Sequence, residues 1–139
     1  MIQIVKDTRP WFFLQTAHTT YGMRVMETGH LEHLYYGERI TVDSQDPASC
    51  APLVIQRAFA PGNTCTYDRE HPQISMEDVC LEVGTLGKGD IREPFLEVRF
   101  ADGSVTSDFT FDSYKIITLK EREQCLQDSG LPHSYSEVE

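Results

Sequence analysis

The sequence predicts an all-β domain, an antiparallel β-sandwich built from many short strands. Three observations carry this expectation. Apolar and polar residues alternate over short runs, a turn dipeptide sits between two such runs, and only one short polar stretch suits a helix. Successive side chains on a strand point to opposite faces, so a half-buried strand shows an apolar period of two.

The first strands fall within residues 11–27. Trp11, Phe12, Phe13 and Leu14 open the segment; later Tyr21, Met23 and Val25 share one face and Gly22 and Arg24 the other, with Met26 out of phase. Ala17 and His18 suit the reversal between the two parts. In Gly29-His30-Leu31-Glu32-His33-Leu34-Tyr35-Tyr36-Gly37, Leu31, His33 and Tyr35 alternate with Glu32, Leu34 and Tyr36, and either set suits the core. Residues 43–52, with two prolines and no period, are expected to be a loop. After Leu53-Val54-Ile55 the chain is again irregular from Gln56 to Pro72, and a long irregular stretch inside a domain is often functional.

Gly84, Gly87 and Gly89 then shape a turn that runs into Asp90, Arg92, Glu93 and Pro94. A Walker-type phosphate loop needs Gly-Lys followed by Ser or Thr at a helix start. Here Lys88 precedes Gly89 and a strand-like run, which argues for a turn braced by ion pairs. Beyond it, Asp102-Gly103 signals a two-residue type I′ turn. Folding there sets Phe100 opposite Val105, Val98 opposite Ser107 and Leu96 opposite Phe109, a hairpin over Phe95–Phe111. A strand over Tyr114–Leu119 and a short helix over Lys120–Ser129, ending at Gly130, complete the expected elements.

A chain of 139 residues is one domain or part of one, and folding at this length buries about two-thirds of the unfolded surface. Its net charge of −10 argues against nucleic acid and anionic membranes as partners. No basic start with an apolar run marks a secretion signal, and no stretch approaches the roughly 18 apolar residues of a membrane span. Cys50, Cys65, Cys80 and Cys125 lack a C-x-x-C pairing; without a secretion signal they are expected to be reduced thiols in the cytoplasm. His30 and His33 flank Glu32, but residues three apart on a strand face opposite ways, so no metal site is expected there. Acids are plentiful, yet Asp90 and Glu93 sit among basic neighbours that favour the ionised form. Ser134 beside His133 lacks a nucleophile-elbow setting. From the residues alone, a non-catalytic β-domain is expected whose irregular loop is either a solvated surface loop or a functional one, in which Arg57, Tyr67, Asp68 and Arg69 supply side chains suited to hydroxyl recognition or an interface.

The ordered segments Leu14-Gln15-Thr16, Thr19-Thr20-Tyr21, Gly29 to Gly37, Arg57-Ala58-Phe59, Gly89-Asp90-Ile91-Arg92-Glu93-Pro94 and Leu131 to Tyr135 resemble the N-terminal domain of α-galactosidases of glycoside hydrolase family 36. The chain departs from that pattern at Ile91, where the family more often has an aromatic residue, and at the longer connection Lys120–Ser129. The resemblance implies a retaining enzyme acting on terminal α-galactosides of melibiose or raffinose type, with its catalytic aspartates in a following (β/α)8 barrel. Residues 1–139 would then be the first portion of a larger supersandwich domain, without catalytic residues, metal or cofactor. Its partners would be its own barrel and neighbouring subunits of a homo-oligomer, since loops of this domain in the family reach the active-site mouth of a neighbour. The matching stretch is Gln56–His71, which makes Arg57, Asp68 and Arg69 candidates for contacting sugar or the subunit interface. Asp90, Arg92 and Glu93 are expected to brace structure, and a truncated sandwich is expected to expose an apolar seam. The competing expectation is a free-standing carbohydrate-binding or protein-interaction β-domain.

Overall fold

The computed structural model describes residues 1–54 and 66–117. Four strands, β1 (Ile2–Val5), β2 (Trp11–Gln15), β3 (Thr19–Val25) and β4 (Leu31–Glu38), form an antiparallel sheet in the order β1-β2-β3-β4. The all-β antiparallel class therefore holds. The β2–β3 reversal turns at Ala17 and His18, as expected, and Thr16 closes it: its amide donates to the Thr19 carbonyl at 3.0 Å, and its Oγ1 accepts from the amides of His18 at 3.2 Å and Thr19 at 2.9 Å.

Register explains the ambiguous alternation in β4. Gly22 pairs with Tyr35, but the next pair is Met23 with His33, so Leu34 is an extra residue in a bulge. Leu34 and Tyr35 both turn to the face that carries Phe13, while His33 meets Tyr21 on the other at 5.0 Å between ring centroids. Neither alternating set keeps to one face throughout. Gly22 is required here because a Cβ would stand 2.9 Å from the ring of fully buried Phe13.

One face of the sheet packs Val5, Trp11, Phe13 and Leu34 against Val42 and Cys50, with Ile40, Leu53 and Val54 around them. The segment that covers this face is not the loop expected over residues 43–52: from Pro47 it winds into a 3-10 helix, Pro47–Leu53. Asp46 caps it by accepting from the Ala48 amide at 3.1 Å, and Pro47 sits in the first turn, where its missing N–H costs nothing. Gln3 and Gln15 tie the segment to the sheet through the carbonyls of Val42 and Ile40, at 2.6 and 2.9 Å. On the opposite face Phe12 meets Phe111 and Tyr114, the latter edge-on at 5.1 Å. The free edge of β4 is paired by residues 80–82: His33 N–H donates to the Cys80 carbonyl and Glu82 N–H to that of Leu31.

The expected hairpin over Phe95–Phe111 is not formed as a ladder. Asp102 does not take positive φ; only Gly103 does, at +87°. The Gly103 amide donates to the Phe100 carbonyl and the Phe100 amide to that of Ser104, which makes a three-residue loop with Gly103 in the left-handed position. Phe100 thus faces Ser104 instead of Val105, and a one-residue slip destroys the apolar match along the arms. Their amides go elsewhere: Phe95 to Gly84 O, Ser107 to Leu86 O and Phe111 to Gly29 O, while Leu96 bridges Thr85 in parallel. Phe95, Phe100 and Phe109 are left exposed, Phe95 at 77%. Residues 114–117 form no strand; the rest of that expected strand and the expected helix Lys120–Ser129 lie outside the described residues. Among the described residues no helix is long and apolar enough to cross a membrane.

Candidate functional site

Of the irregular stretch 56–71, residues 66–71 are described, and Arg57 lies outside them. The described end is anchored at Tyr67. Its amide donates to the Ile74 carbonyl at 2.7 Å and its hydroxyl to Asp108 Oδ2 at 2.8 Å. Asp108 also meets His30 Nε2 at 2.7 Å, and the other nitrogen of that ring lies 2.8 Å from the Thr28 hydroxyl. His30 is only 3% exposed, at the turn that leads into β4, and the Tyr67 ring stands edge-on to it at 5.0 Å. Lys88 completes the group, 3.5 Å from Asp108 Oδ2 and 5.7 Å from the Tyr67 ring centroid. One carboxylate therefore joins the sheet, the glycine-rich turn and the loop base.

The electrostatics give this clamp a fixed polarity. Burial pushes the Asp108 carboxyl upward, but hydrogen bonds from His30 and Tyr67 and the nearby charges outweigh it and hold the group below its ordinary value. Burial, reinforced by Asp108, raises the Tyr67 phenol to about 12. At neutral pH Tyr67 is a donor and Asp108 an ionised acceptor.

Asp68 and Arg69 separate by role. Asp68 Oδ1 accepts from the amides of Glu70 at 2.8 Å and His71 at 2.7 Å, and the His71 ring approaches to 2.9 Å. These contacts outweigh the opposing effect of burial and lower its carboxyl, so Asp68 is occupied in closing its own turn. Arg69 is exposed on that turn.

Asp90 and Arg92 form a second rigid unit. Arg92 Nε and Nη2 donate to the two oxygens of Asp90, each at 2.8 Å, and the Arg92 amide adds a bond at 3.0 Å. Nη2 also donates to the carbonyls of Met76 and Val79, at 3.0 and 2.6 Å. Glu93 is exposed. The structure does not bring Asp90 or Arg92 into contact with Asp68 or Arg69. Sequence reasoning missed His30, Lys88 and Asp108 as partners of Tyr67, and with His30 and Asp108 separated by 78 positions no local pattern marks the pair.

These carboxylates serve as acceptors in fixed contacts. Glu82 likewise takes the Tyr21 hydroxyl at 2.5 Å and meets His33 at 3.1 Å, and Glu32 takes Arg24 at 2.7 Å. Among the described residues no group of three His, Cys, Asp or Glu could hold a metal ion. Fold and site define an all-β unit whose sheet is tied to the turn at residues 66–71.

The model of the glycosyl hydrolase family 36 N-terminal domain matches residues 29–139, and the chain belongs to that family. It is 34% identical over 133 residues to the bifunctional alpha-galactosidase/sucrose kinase AgaSK of Mediterraneibacter gnavus, covering 95% of this chain and 13% of that protein. Alpha-galactosidase AgaA of Geobacillus stearothermophilus is 30% identical over 128 residues, covering 92% and 16%. Among solved structures, the alpha-galactosidase from Lactobacillus brevis superposes with a TM-score of 0.68 at 32% identity, over 80% of this chain and 14% of that one. The galactosidase domain of AgaSK gives 0.63 at 29%, over 81% and 15%. The chain thus spans 13–16% of the length of the curated relatives it matches.

Proposed function

We propose that residues 1–139 act as the N-terminal β-sandwich part of a retaining α-galactosidase that hydrolyses terminal α-galactosides of melibiose or raffinose type. In this reading the domain is the first portion of a larger supersandwich, catalysis belongs to a barrel, and the enzyme is a cytoplasmic homo-oligomer. The loop base at Tyr67–His71 faces the active-site mouth of a neighbouring subunit, where Arg57 and Arg69 meet sugar or the subunit surface. The observation that carries the reading is the clamp at Asp108, which holds an exposed arginine, Arg69, on a turn tied to the sheet. Such rigidity is what a substrate-positioning group needs, because an orienting contact is useful only when its support does not move. The names of the relatives supply the substrate class.

The purified 139-residue chain is expected to release no nitrophenol from p-nitrophenyl α-galactoside. Release above the blank would overturn the assignment of catalysis to a barrel. In protein made from the uninterrupted reading frame, Arg69→Ala is expected to raise KM for melibiose about tenfold, the loss of one charge-assisted hydrogen bond. Unchanged KM and unchanged subunit assembly in that variant would remove Arg69 from the mouth.

A further inference from the structure

The chain contains one aspartate followed by glycine, Asp102-Gly103, and no asparagine followed by glycine. At such a step the main-chain nitrogen of the second residue can attack the side-chain carboxyl of the first, because glycine puts no side chain in the way. Residues 101–104 are exposed, and a Cβ built on Gly103 would meet nothing within 4 Å. The loop is also lightly held. Its arms form no ladder, and among the described residues two backbone bonds close it, Gly103 N–H to the Phe100 carbonyl and Phe100 N–H to that of Ser104, each at 2.9 Å. A turn closed by a few exposed bonds opens locally at little cost.

The closed loop engages both reacting groups. The Gly103 nitrogen is occupied as a donor, and Asp102 Oδ1 accepts from the Ser104 amide at 2.9 Å and the Ser104 hydroxyl at 2.7 Å. These two bonds hold the Asp102 carboxyl below its ordinary value. An ionised carboxylate is a poor electrophile, since cyclisation must expel one of its oxygens as water. Ser104 therefore favours the unreactive form, and the reaction waits for the turn to open.

We propose that Asp102 is a site of spontaneous isoaspartate formation and that the Ser104 hydroxyl is its gate. In the open turn the Gly103 nitrogen attacks Asp102 Cγ. The amide proton leaves with the carboxyl oxygen and its proton as one water, and a five-membered succinimide remains. Water then adds back; opening at the main-chain carbonyl leaves Asp102 joined to Gly103 through its side chain. The sequence of steps releases one water and consumes one, with no oxidant or reductant. The new linkage inserts the side-chain methylene into the main chain of a three-residue loop, so Phe100 and Ser104 can no longer close the same turn. Asp43-Ser44 and Asp112-Ser113 provide comparison points within the chain, because each aspartate is exposed but the next residue carries a side chain. Neither the loop base nor its clamp enters this chemistry, so the proposal is independent of the galactosidase reading.

The 139-residue chain, kept in warm neutral buffer and sampled over days, tests the proposal. Isoaspartate is read by peptide mass spectrometry, with fragmentation that separates side-chain-linked from main-chain-linked aspartate, and by labelling with an isoaspartyl methyltransferase. Product is expected at Asp102 and not at Asp43 or Asp112, and it should form more slowly in the folded chain than in the same chain in urea. Ser104→Ala, an exposed substitution, is expected to speed the folded-state reaction about fivefold, the worth of one hydrogen bond, and to match the natural chain in urea. Ser104→Thr keeps the hydroxyl and should stay near the natural rate. No product at Asp102 in either state, or product at Asp112 at the same rate, would overturn the proposal. So would equal folded and urea rates in the natural chain, an unchanged folded rate in Ser104→Ala, or a Ser104→Thr rate as fast as that of Ser104→Ala.

Discussion

Replacing Arg92 with alanine is expected to lower the unfolding free energy by about 2–3 kcal/mol. The side chain of Asp90 is 7% exposed, and the guanidinium is what makes its burial as an anion tolerable. Burial raises the Asp90 carboxyl, but the bonds from Arg92 prevail and hold it below the ordinary carboxylate value. Truncation leaves a buried carboxylate without a counter-charge and removes a donor from the carbonyls of Met76 and Val79. Arg92 itself is 43% exposed, so water replaces part of what is lost and the cost stays below that of breaking a fully buried pair. In urea titrations the midpoint should fall with little change in slope. Arg92→Lys should recover only part of the loss, because an ammonium cannot present two parallel donors to one carboxylate. A loss below about 0.5 kcal/mol, the size of an ordinary surface substitution, would show that the pair braces nothing.

Strand β3 is legible because Tyr21, Met23 and Val25 share one face of a strand that has a neighbour on each side, although Thr20 and Gly22 on the other face are buried more deeply than Tyr21 and Met23. Strand β4 is legible as a strand but not in register, since the bulge at Leu34 is set by its fit against Gly22 and Phe13, which no window within β4 contains. Strand β1 is only four residues long and shows no full alternation, and it takes its place by pairing Ile4 with Phe12 and Val5 with Trp11. The dipeptide Asp102-Gly103 correctly signals a reversal, yet the loop closes one residue differently from the expected type, and that slip decides the fate of both arms. The motif from Gly89 to Pro94 is legible as a charge cluster with a ready local pair, Asp90 with Arg92. The clamp at Asp108 is not, because it gathers side chains from several separate segments.

Asp108→Ala is expected to cost about 2–4 kcal/mol and to free the loop base from the sheet. The substitution strips an acceptor from the buried His30 ring and from the Tyr67 hydroxyl, and it takes the counter-charge from Lys88. The global loss is read from the urea midpoint; the local one from hydrogen exchange at the Tyr67 amide, which now donates to Ile74 and should exchange faster once the ring is no longer tethered. Acid provides an independent check of the cause. The folded carboxyl titrates below the ordinary value of 3.8, so its contribution is complete above that value and is lost as pH falls through the folded one. The gap in stability between the natural chain and Asp108→Ala should therefore be constant from neutral pH down to the ordinary carboxylate range, then narrow on further acidification. Asp108→Asn should fall between the two, since one carbonyl oxygen can satisfy either His30 or Tyr67 but not both. A gap independent of pH through that acid range would mean that Asp108 contributes by packing alone, and the clamp would then not be electrostatic.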